Sequence, residues 1–409
     1  MTRKTHIRAS DLHGYGRLAV DATIGLTRVV ETMHHNLLRV PGVFGTPTHE
    51  PAGGLTGMVY RSIRGVTRLV GSGVDTVLAQ LLPLIYPDAR PAQAHASSAE
   101  RETVLAALNG VLGDHLAASG NPLAIPMRLQ RNGAPLELTQ PALAAAIPDS
   151  TGKILLLAHG LCMNDLQWRR KGHDHGAALA ADVGFTPIYL HYNSGLHVSI
   201  NGRAFADLIE QLLRAWPRPV EELTIIGHSM GGLVTRSACH YGKLADHAWL
   251  RQLRKIVFLG TPHRGAPLER SGNWLDGLLD SSPYTAAFSR LGKIRSAGIT
   301  DLRHGSVLDA DWQERGRFTS AHDRGHAVPW PRGVTCYAIA ASVARRSGDA
   351  ERQRPGDGLV PVDSALAINQ HRDGKSAIPK SRQWIGYGMH HLDLLDRLDV
   401  YEQLKRWLA

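Results

Sequence analysis

Residues 224–232 read TIIGHSMGG and form the most informative segment of the chain. The apolar residues before Gly227 predict a buried strand, and the residues from Gly231 onward predict a helix. Between them, Ser229 has a glycine two positions away on either side, the G-x-S-x-G pattern. A tight strand-to-helix turn leaves no space for larger side chains there, and it holds the serine hydroxyl out at the end of a sheet. We therefore interpret Ser229 as a nucleophile. The alternative is a Gly-rich turn whose serine only caps the helix.

Short apolar segments alternate with helical segments on both sides of this motif. A β-hairpin is predicted at 127–138, strands at 153–158, 186–192, 223–226, 255–259 and 334–341, and helices at 201–216, 231–241 and 392–408. Strands that alternate with helices in this way predict an α/β fold, with a mostly parallel sheet covered by helices on both faces.

The first 120 residues have a different pattern. Apolar residues at helical spacing, without strand alternation, predict helices within 17–40, 55–86 and 100–119. We predict a helical N-terminal extension at 1–120 and a catalytic domain at 121–409. The N-terminal helices are candidates for peripheral membrane contact or self-association. The alternative is that their apolar faces simply pack in a core or against other parts of the chain.

Composition narrows the class of protein. The 46 Lys and Arg residues against 36 Asp and Glu residues give a net charge of +10. These basic residues are spread among acids along the chain, so we expect no nucleic-acid partner.

Three scattered cysteines without a CxxC pair argue against a disulfide framework and a cysteine zinc site. The basic, polar start lacks the apolar stretch of a secretory signal, and no apolar run has membrane-spanning length. The expected location is cytoplasmic.

Three further motifs accompany Ser229: LAHGL at 157–161, DGLV at 357–360 and HLD at 391–393. With them, the chain resembles bacterial lipases and esterases of the α/β-hydrolase superfamily from about residue 127 to residue 409. The resemblance implies the α/β-hydrolase fold and the chain order serine, acid, histidine. It assigns the acid to Asp357, with Asp363 as the alternative. It assigns the base to His391, although the adjacent His390 leaves that choice open.

The resemblance also implies the surroundings of the nucleophile. Backbone N–H groups of Leu161 and Met230 would form the oxyanion hole. The segment at about 262–333 would be an α-helical cap or lid, and its alternative role is ordinary helix packing. Asp393 corresponds to a calcium ligand of some related lipases, but an acid in the first turn of a helix explains it better. We expect no metal and no cofactor. Candidate substrate-binding residues are His159, Gly160, His228, Trp274 and Leu275.

These residues favour a serine carboxylic-ester hydrolase, an esterase or lipase that forms an acyl-enzyme. The expected substrate is an ester with a hydrophobic acyl chain. A thioesterase, an acyltransferase or a lipid deacylase would use the same triad. A non-catalytic binding protein on a hydrolase fold is the remaining alternative, and all three triad residue types are present against it.

Overall fold

The computed structural model describes residues 9–37, 62, 66, 98–266, 296–313, 328–345, 356–368 and 377–409, with side chains within the first segment described for 10–24. Trp274, Leu275 and most of the predicted cap lie outside these residues, and so does most of the apolar segment at 55–86. Those predictions therefore stay predictions.

An eight-stranded sheet organises the described residues, in the order β2-β1-β4-β3-β5-β6-β7-β8. Strand β1 pairs antiparallel with β2 and β4, and all other neighbours are parallel. The strands are β1 (Arg128–Arg131), β2 (Ala134–Pro135), β3 (Lys153–Ala158), β4 (Thr186–His191), β5 (Glu222–His228), β6 (Leu253–Leu259), β7 (Thr335–Ser342) and β8 (Gln383–Tyr387).

The α-helices are α1 (Ala9–Leu37), α2 (Ala99–Ala118), α3 (Gln140–Ala146), α4 (His175–Val183), α5 (Val198–Ala215), α6 (Met230–Leu244), α7 (Ala297–His304), α8 (Ala310–Gln313), α9 (Val362–Ala365) and α10 (Leu398–Leu408). Short 3-10 helices cover Asp165–Trp168, Ala248–Arg251, Lys380–Arg382 and His391–Leu395. No helix among the described residues combines the length and apolar character needed to cross a membrane.

Helices cover both faces of the sheet because the central strands are apolar on both faces. Along β3, Leu156 points into the core shared with Phe205 of α5, whereas Leu157 points into the core shared with Val400 and Leu404 of α10. All five of these side chains have no exposed surface. Continuous apolar strands of this kind are typical of a parallel sheet buried on both sides. The predicted fold class is confirmed.

Two element predictions need correction. The closing helix was predicted over 392–408, but the structure divides this segment into the 3-10 helix His391–Leu395 and the α-helix α10. The break comes where the side chain of Asp393 accepts a hydrogen bond from the His390 N–H and its carbonyl accepts bonds from the Asp396 and Arg397 N–H groups. Strand β8 was not predicted as a strand.

The chain divides into two compact units. One contains residues 1–98 and 116–124, and the other contains residues 99–115 and 125–409. Within the first unit, the Arg17 guanidinium donates to the carbonyls of Ser119 and Gly120 at 2.6 and 3.0 Å. The second unit contains the sheet together with most of helix α2. The predicted boundary at residue 120 stays a prediction, but the grouping of residues 99–115 with the sheet bears on the site described next.

Candidate active site

Ser229 lies at the turn between β5 and α6 with a left-handed backbone, φ 52° and ψ −121°. A non-glycine residue in this conformation is strained and persists only where the surroundings impose it. The close approach explains the flanking glycines, because a Cβ atom at Gly227 would lie 2.6 Å from Gly232 Cα, and one at Gly231 would lie 2.1 Å from the Ala158 carbonyl oxygen. The Ser229 N–H donates to the Leu259 carbonyl at 2.8 Å, which ties the turn to β6.

The predicted acid and base form a buried pair. His391 Nδ1 donates to Asp357 Oδ2 at 2.7 Å, and both residues are 2% exposed. The other carboxylate oxygen accepts from the N–H groups of Leu359 and Val360 at 2.9 and 2.8 Å. The His391 N–H also donates to the Asp357 carbonyl at 3.1 Å. This arrangement fixes the imidazole with its proton on Nδ1, so Nε2 is left as the basic nitrogen.

The His391 ring lies next to the nucleophile's turn. Its centroid is 4.7 Å from that of His228, the residue before Ser229. A Cβ atom at Gly260, at the end of β6, would lie 2.9 Å from His391 Cε1. Buried His391 Nε2 has no hydrogen-bond partner in the described structure, so it is available to a proton donor such as the Ser229 hydroxyl.

The geometry distinguishes His391 from its neighbour. The His390 side chain is exposed, and its backbone N–H donates to Asp393 at 2.9 Å. The alternative acid, Asp363, lies in the first turn of α9, whereas Asp357 is the residue bonded to His391. The structure therefore pairs His391 with Asp357 and places the His391 ring beside His228, the residue before Ser229.

The predicted oxyanion loop lies beside Ser229. A Cβ atom at Gly160 would be 3.1 Å from Ser229 Cβ, so any larger residue here would push against the turn at Ser229. His159 Nδ1 donates to the Gly160 carbonyl at 2.8 Å. Because the C=O and N–H of a trans peptide point in opposite directions, this bond turns the Leu161 N–H away from His159. The other predicted donor, the Met230 N–H, is in the first turn of α6, where N–H groups have no acceptor within the helix.

His159 and His228 are fully buried. Burial lowers the pKa of His159 to about 3, and burial together with the adjacent His391 holds the pKa of His228 well below its usual range. Both rings are therefore neutral at physiological pH. The His159 ring stacks on Tyr192 at 4.3 Å, and the Tyr192 hydroxyl donates to the His159 carbonyl at 2.8 Å. Their predicted contact with substrate stays a prediction, and the structure places both rings beneath the surface of the site.

Residues 149–329 match the model of the PGAP1-like alpha/beta domain family. The fold is that of an α/β-hydrolase. The matched segment contains Ser229 and the predicted oxyanion loop, while Asp357 and His391, the predicted acid and base, follow it in the chain.

Solved structures with a similar fold include three bacterial and archaeal proteins. The mature form of the lipase BlEst2 from Bacillus licheniformis is 14% identical with a TM-score of 0.42, and the match covers 69% of this chain and 98% of that one. A lipase-esterase related protein from Clostridium acetobutylicum is 13% identical with a TM-score of 0.36, covering 69% and 98%. The Pyrococcus furiosus esterase PF2001 is 14% identical with a TM-score of 0.36, covering 64% and 84%. No curated protein matches the chain.

Asp393 of the α/β-hydrolase domain is engaged by protein groups. Its carboxylate accepts from the His390 N–H at 2.9 Å and lies 3.6 Å from Lys171 Nζ. The neighbouring Asp396 pairs with Lys171 at 3.1 Å and with Arg170 at 3.2 Å. These cations balance the acids of the loop that follows His391. Among the described residues, no group of three or more metal-binding side chains is positioned to hold a metal ion.

Sequence reasoning missed a histidine pair that supports the loop carrying the base. His175 Nε2 donates to the Leu394 carbonyl at 3.0 Å, so His175 Nδ1 accepts from His173 Nε2 at 2.8 Å. Burial lowers the pKa of His175 to about 4. The stretch HDH at 173–175 is visible in the sequence, but the carbonyl that it contacts is more than two hundred positions later.

Acid is expected to destabilise the α/β-hydrolase domain through two buried histidine rings, those of His159 and His175. His159 and His175 have pKa values of about 3 and about 4 in the folded state, against 6.5 when unfolded. As the pH is lowered from 7 to 5, the unfolded chain binds protons that the folded state excludes, so the free energy of unfolding decreases. At pH 5, each ring lowers the free energy of unfolding by about 2 kcal/mol. Denaturant unfolding at both pH values measures the loss.

The matched variant for this prediction is His175→Gln. It lowers stability at pH 7, but it should reduce the difference between pH 7 and pH 5 by about 2 kcal/mol. An unchanged pH difference in the variant would show that His175 is protonated in the folded protein.

Proposed function

We propose that this chain is a serine carboxylic-ester hydrolase with Ser229 as nucleophile, His391 as general base and Asp357 as the group that orients the base. The observation that carries the proposal is the buried Asp357–His391 hydrogen bond of 2.7 Å beside the turn that holds Ser229 in its strained conformation. Both features cost folding free energy. Buried polar groups lose their contacts with water, and a serine held at positive φ costs about 1–3 kcal/mol. A serine hydrolase needs both features, whereas a binding protein does not.

In the first half of the reaction, Ser229 Oγ attacks the acyl carbon of the ester while His391 Nε2 takes the hydroxyl proton. The carbonyl oxygen becomes an oxyanion, which the N–H groups of Leu161 and Met230 stabilise. The ester C–O bond then breaks, His391 delivers the proton to the leaving alkoxide, and the acyl group remains on Ser229.

In the second half, a water molecule attacks the acyl carbon and gives a proton to His391. Breakage of the bond to Ser229 Oγ releases the carboxylic acid, and the proton returns from His391 to Ser229. Asp357 remains ionised throughout and stabilises the imidazolium that forms in each half. No cofactor enters this scheme.

The substrate class is tested by hydrolysis of p-nitrophenyl esters from acetyl to palmitoyl, with acyl-CoA thioesters assayed in parallel. We expect turnover of the oxygen esters, with an optimum among hydrophobic acyl chains. Turnover of thioesters alone would favour a thioesterase and contradict the proposed ester specificity. The absence of turnover and of covalent reaction with every substrate would favour a binding protein.

A further inference from the structure

One face of helix α2 contacts three loops that surround the site. These are the oxyanion loop at Cys162, the loop after β4 at residues 193–195, and the start of α7 at residues 296–298. The contacting residues of α2 lie between 107 and 114, within the same compact unit as the sheet. The triad requires none of these helix residues.

The tightest contact is with the oxyanion loop. Cys162 follows the donor residue Leu161 and has a left-handed backbone, φ 58°. A Cβ atom at Gly110 would lie 2.2 Å from Cys162 Sγ, 2.9 Å from its Cα and 3.0 Å from its N. The Cys162 N–H donates to the Ser194 hydroxyl at 3.0 Å on the other side. The strained residue is thus held between the helix and the loop after β4.

The second contact fixes the loop that carries Ser194. Asn193 Nδ2 donates to the Gly113 carbonyl at 2.9 Å, and Asn193 Oδ1 accepts from the Gly195 N–H at 3.0 Å. A Cβ atom at Gly113 would lie 1.8 Å from Asn193 Oδ1, so a larger residue here would displace the amide group that makes these two hydrogen bonds.

The third contact extends the support to helix α7. The Ser296 hydroxyl donates to the Gly110 carbonyl at 2.6 Å, and the Ala297 N–H donates to Asp114 at 3.1 Å. Gly110 therefore touches α7 through its carbonyl and the oxyanion loop through its Cα.

From these contacts we propose that helix α2 is a positioning element of the active site, in which Gly110 sets the oxyanion loop against Ser229. The role rests on the proposed ester hydrolysis. Glycine inside a helix costs roughly 0.5–1 kcal/mol relative to alanine, so Gly110 and Gly113 weaken the helix on which they lie. In return, the two glycines let helix α2 approach the neighbouring loops closely. This approach holds Cys162 at a positive φ that non-glycine residues avoid, and it thereby fixes the direction of the preceding Leu161 N–H.

The test is Gly110→Ala, with Gly152→Ala as the matched control. The three atoms nearest to a Cβ atom at Gly152, before the amino end of β3, would all belong to the flexible side chain of Glu221. We expect Gly110→Ala to lower kcat for p-nitrophenyl esters about 10- to 100-fold with KM changed less than about threefold, because displaced catalytic groups lose rate more than binding. Gly152→Ala should keep wild-type kcat. Circular dichroism establishes that each variant is folded at the assay temperature.

A second substitution separates positioning from general damage. Cys162→Gly in the Gly110→Ala background removes the Sγ atom that the new methyl would strike and places glycine where φ is positive. The new methyl would still lie 2.9 Å from the Cα and 3.0 Å from the N of residue 162, so we expect this double variant to recover part of the lost kcat. Wild-type kcat in Gly110→Ala, or a folded double variant as slow as the single one, would overturn the inference.

Loop position is also measurable without any ester. Cys162 is buried, and burial raises the pKa of its thiol to about 12, so alkylation by iodoacetamide is slow in the native protein. In Gly110→Ala we expect alkylation at Cys162, located by peptide mass, to be at least about tenfold faster, because the opened loop exposes the thiol. If the wild type hydrolyses no ester but this acceleration appears, the proposed function fails while the helix–loop contact stands. Equal alkylation rates would contradict the contact itself.

Discussion

Replacing Ser229 with alanine is expected to lower kcat for p-nitrophenyl esters by at least about 10⁴-fold. The substitution removes the oxygen that forms the acyl-enzyme and leaves the oxyanion donors and the His391–Asp357 pair in place. The remaining activity would come from binding and from the oxyanion hole. Initial rates under saturating ester, with intact mass to exclude contamination by wild type, measure the effect.

Ser237→Ala is the matched control for this prediction. Ser237 is a buried serine of the same helix α6, and its hydroxyl donates to the Val307 carbonyl at 2.7 Å. Its loss should lower the free energy of unfolding by about 1 kcal/mol while kcat stays within a few-fold of wild type. An equal loss of activity in both variants would mean that damage to α6, rather than loss of the nucleophile, explains the result.

His391→Ala is expected to reduce kcat by a similar factor, about 10⁴-fold or more, whereas His390→Ala should keep kcat within about threefold of wild type. The two residues are adjacent histidines, so a difference in kcat between the two variants reports where each ring lies and not the loss of an imidazole as such. His391 bonds to Asp357 through Nδ1, while the His390 side chain is exposed and holds the loop through its backbone N–H.

Initial rates under saturating ester measure the two effects, with circular dichroism to establish that each variant is folded. If His390→Ala were the inactive variant, the assignment of the base would be wrong.

The strand-to-helix turn at Ser229 was predictable from the sequence because its determinants are local. Gly227 reports a close approach of strand β5 to helix α6 at Gly232, and this approach occurs within nine consecutive residues. The parallel sheet was predictable for a related reason, since strands such as β3 are continuous apolar runs. The pairing of Asp357 with His391 required the resemblance to α/β-hydrolases, because 34 residues separate the two side chains in the chain.

The role of helix α2 could not be read from the sequence. Gly110 and Gly113 look like weak points of an ordinary helix, and their partners Cys162 and Asn193 lie far along the chain. Steric requirements of this type arise only when distant segments meet, so neither spacing nor composition reports them. The choice between His390 and His391 was open for the same reason, because it depends on which ring faces Asp357.

Covalent labelling identifies the nucleophile directly. The wild type and Ser229→Ala are incubated with diisopropyl fluorophosphate, and the modified peptide is identified by mass spectrometry. We predict one diisopropylphosphoryl group per wild-type chain, attached to Ser229, loss of esterase activity in proportion to labelling, and no modification of Ser229→Ala. Labelling at a different residue, or wild-type esterase activity that persists in Ser229→Ala, would show that Ser229 is not the nucleophile.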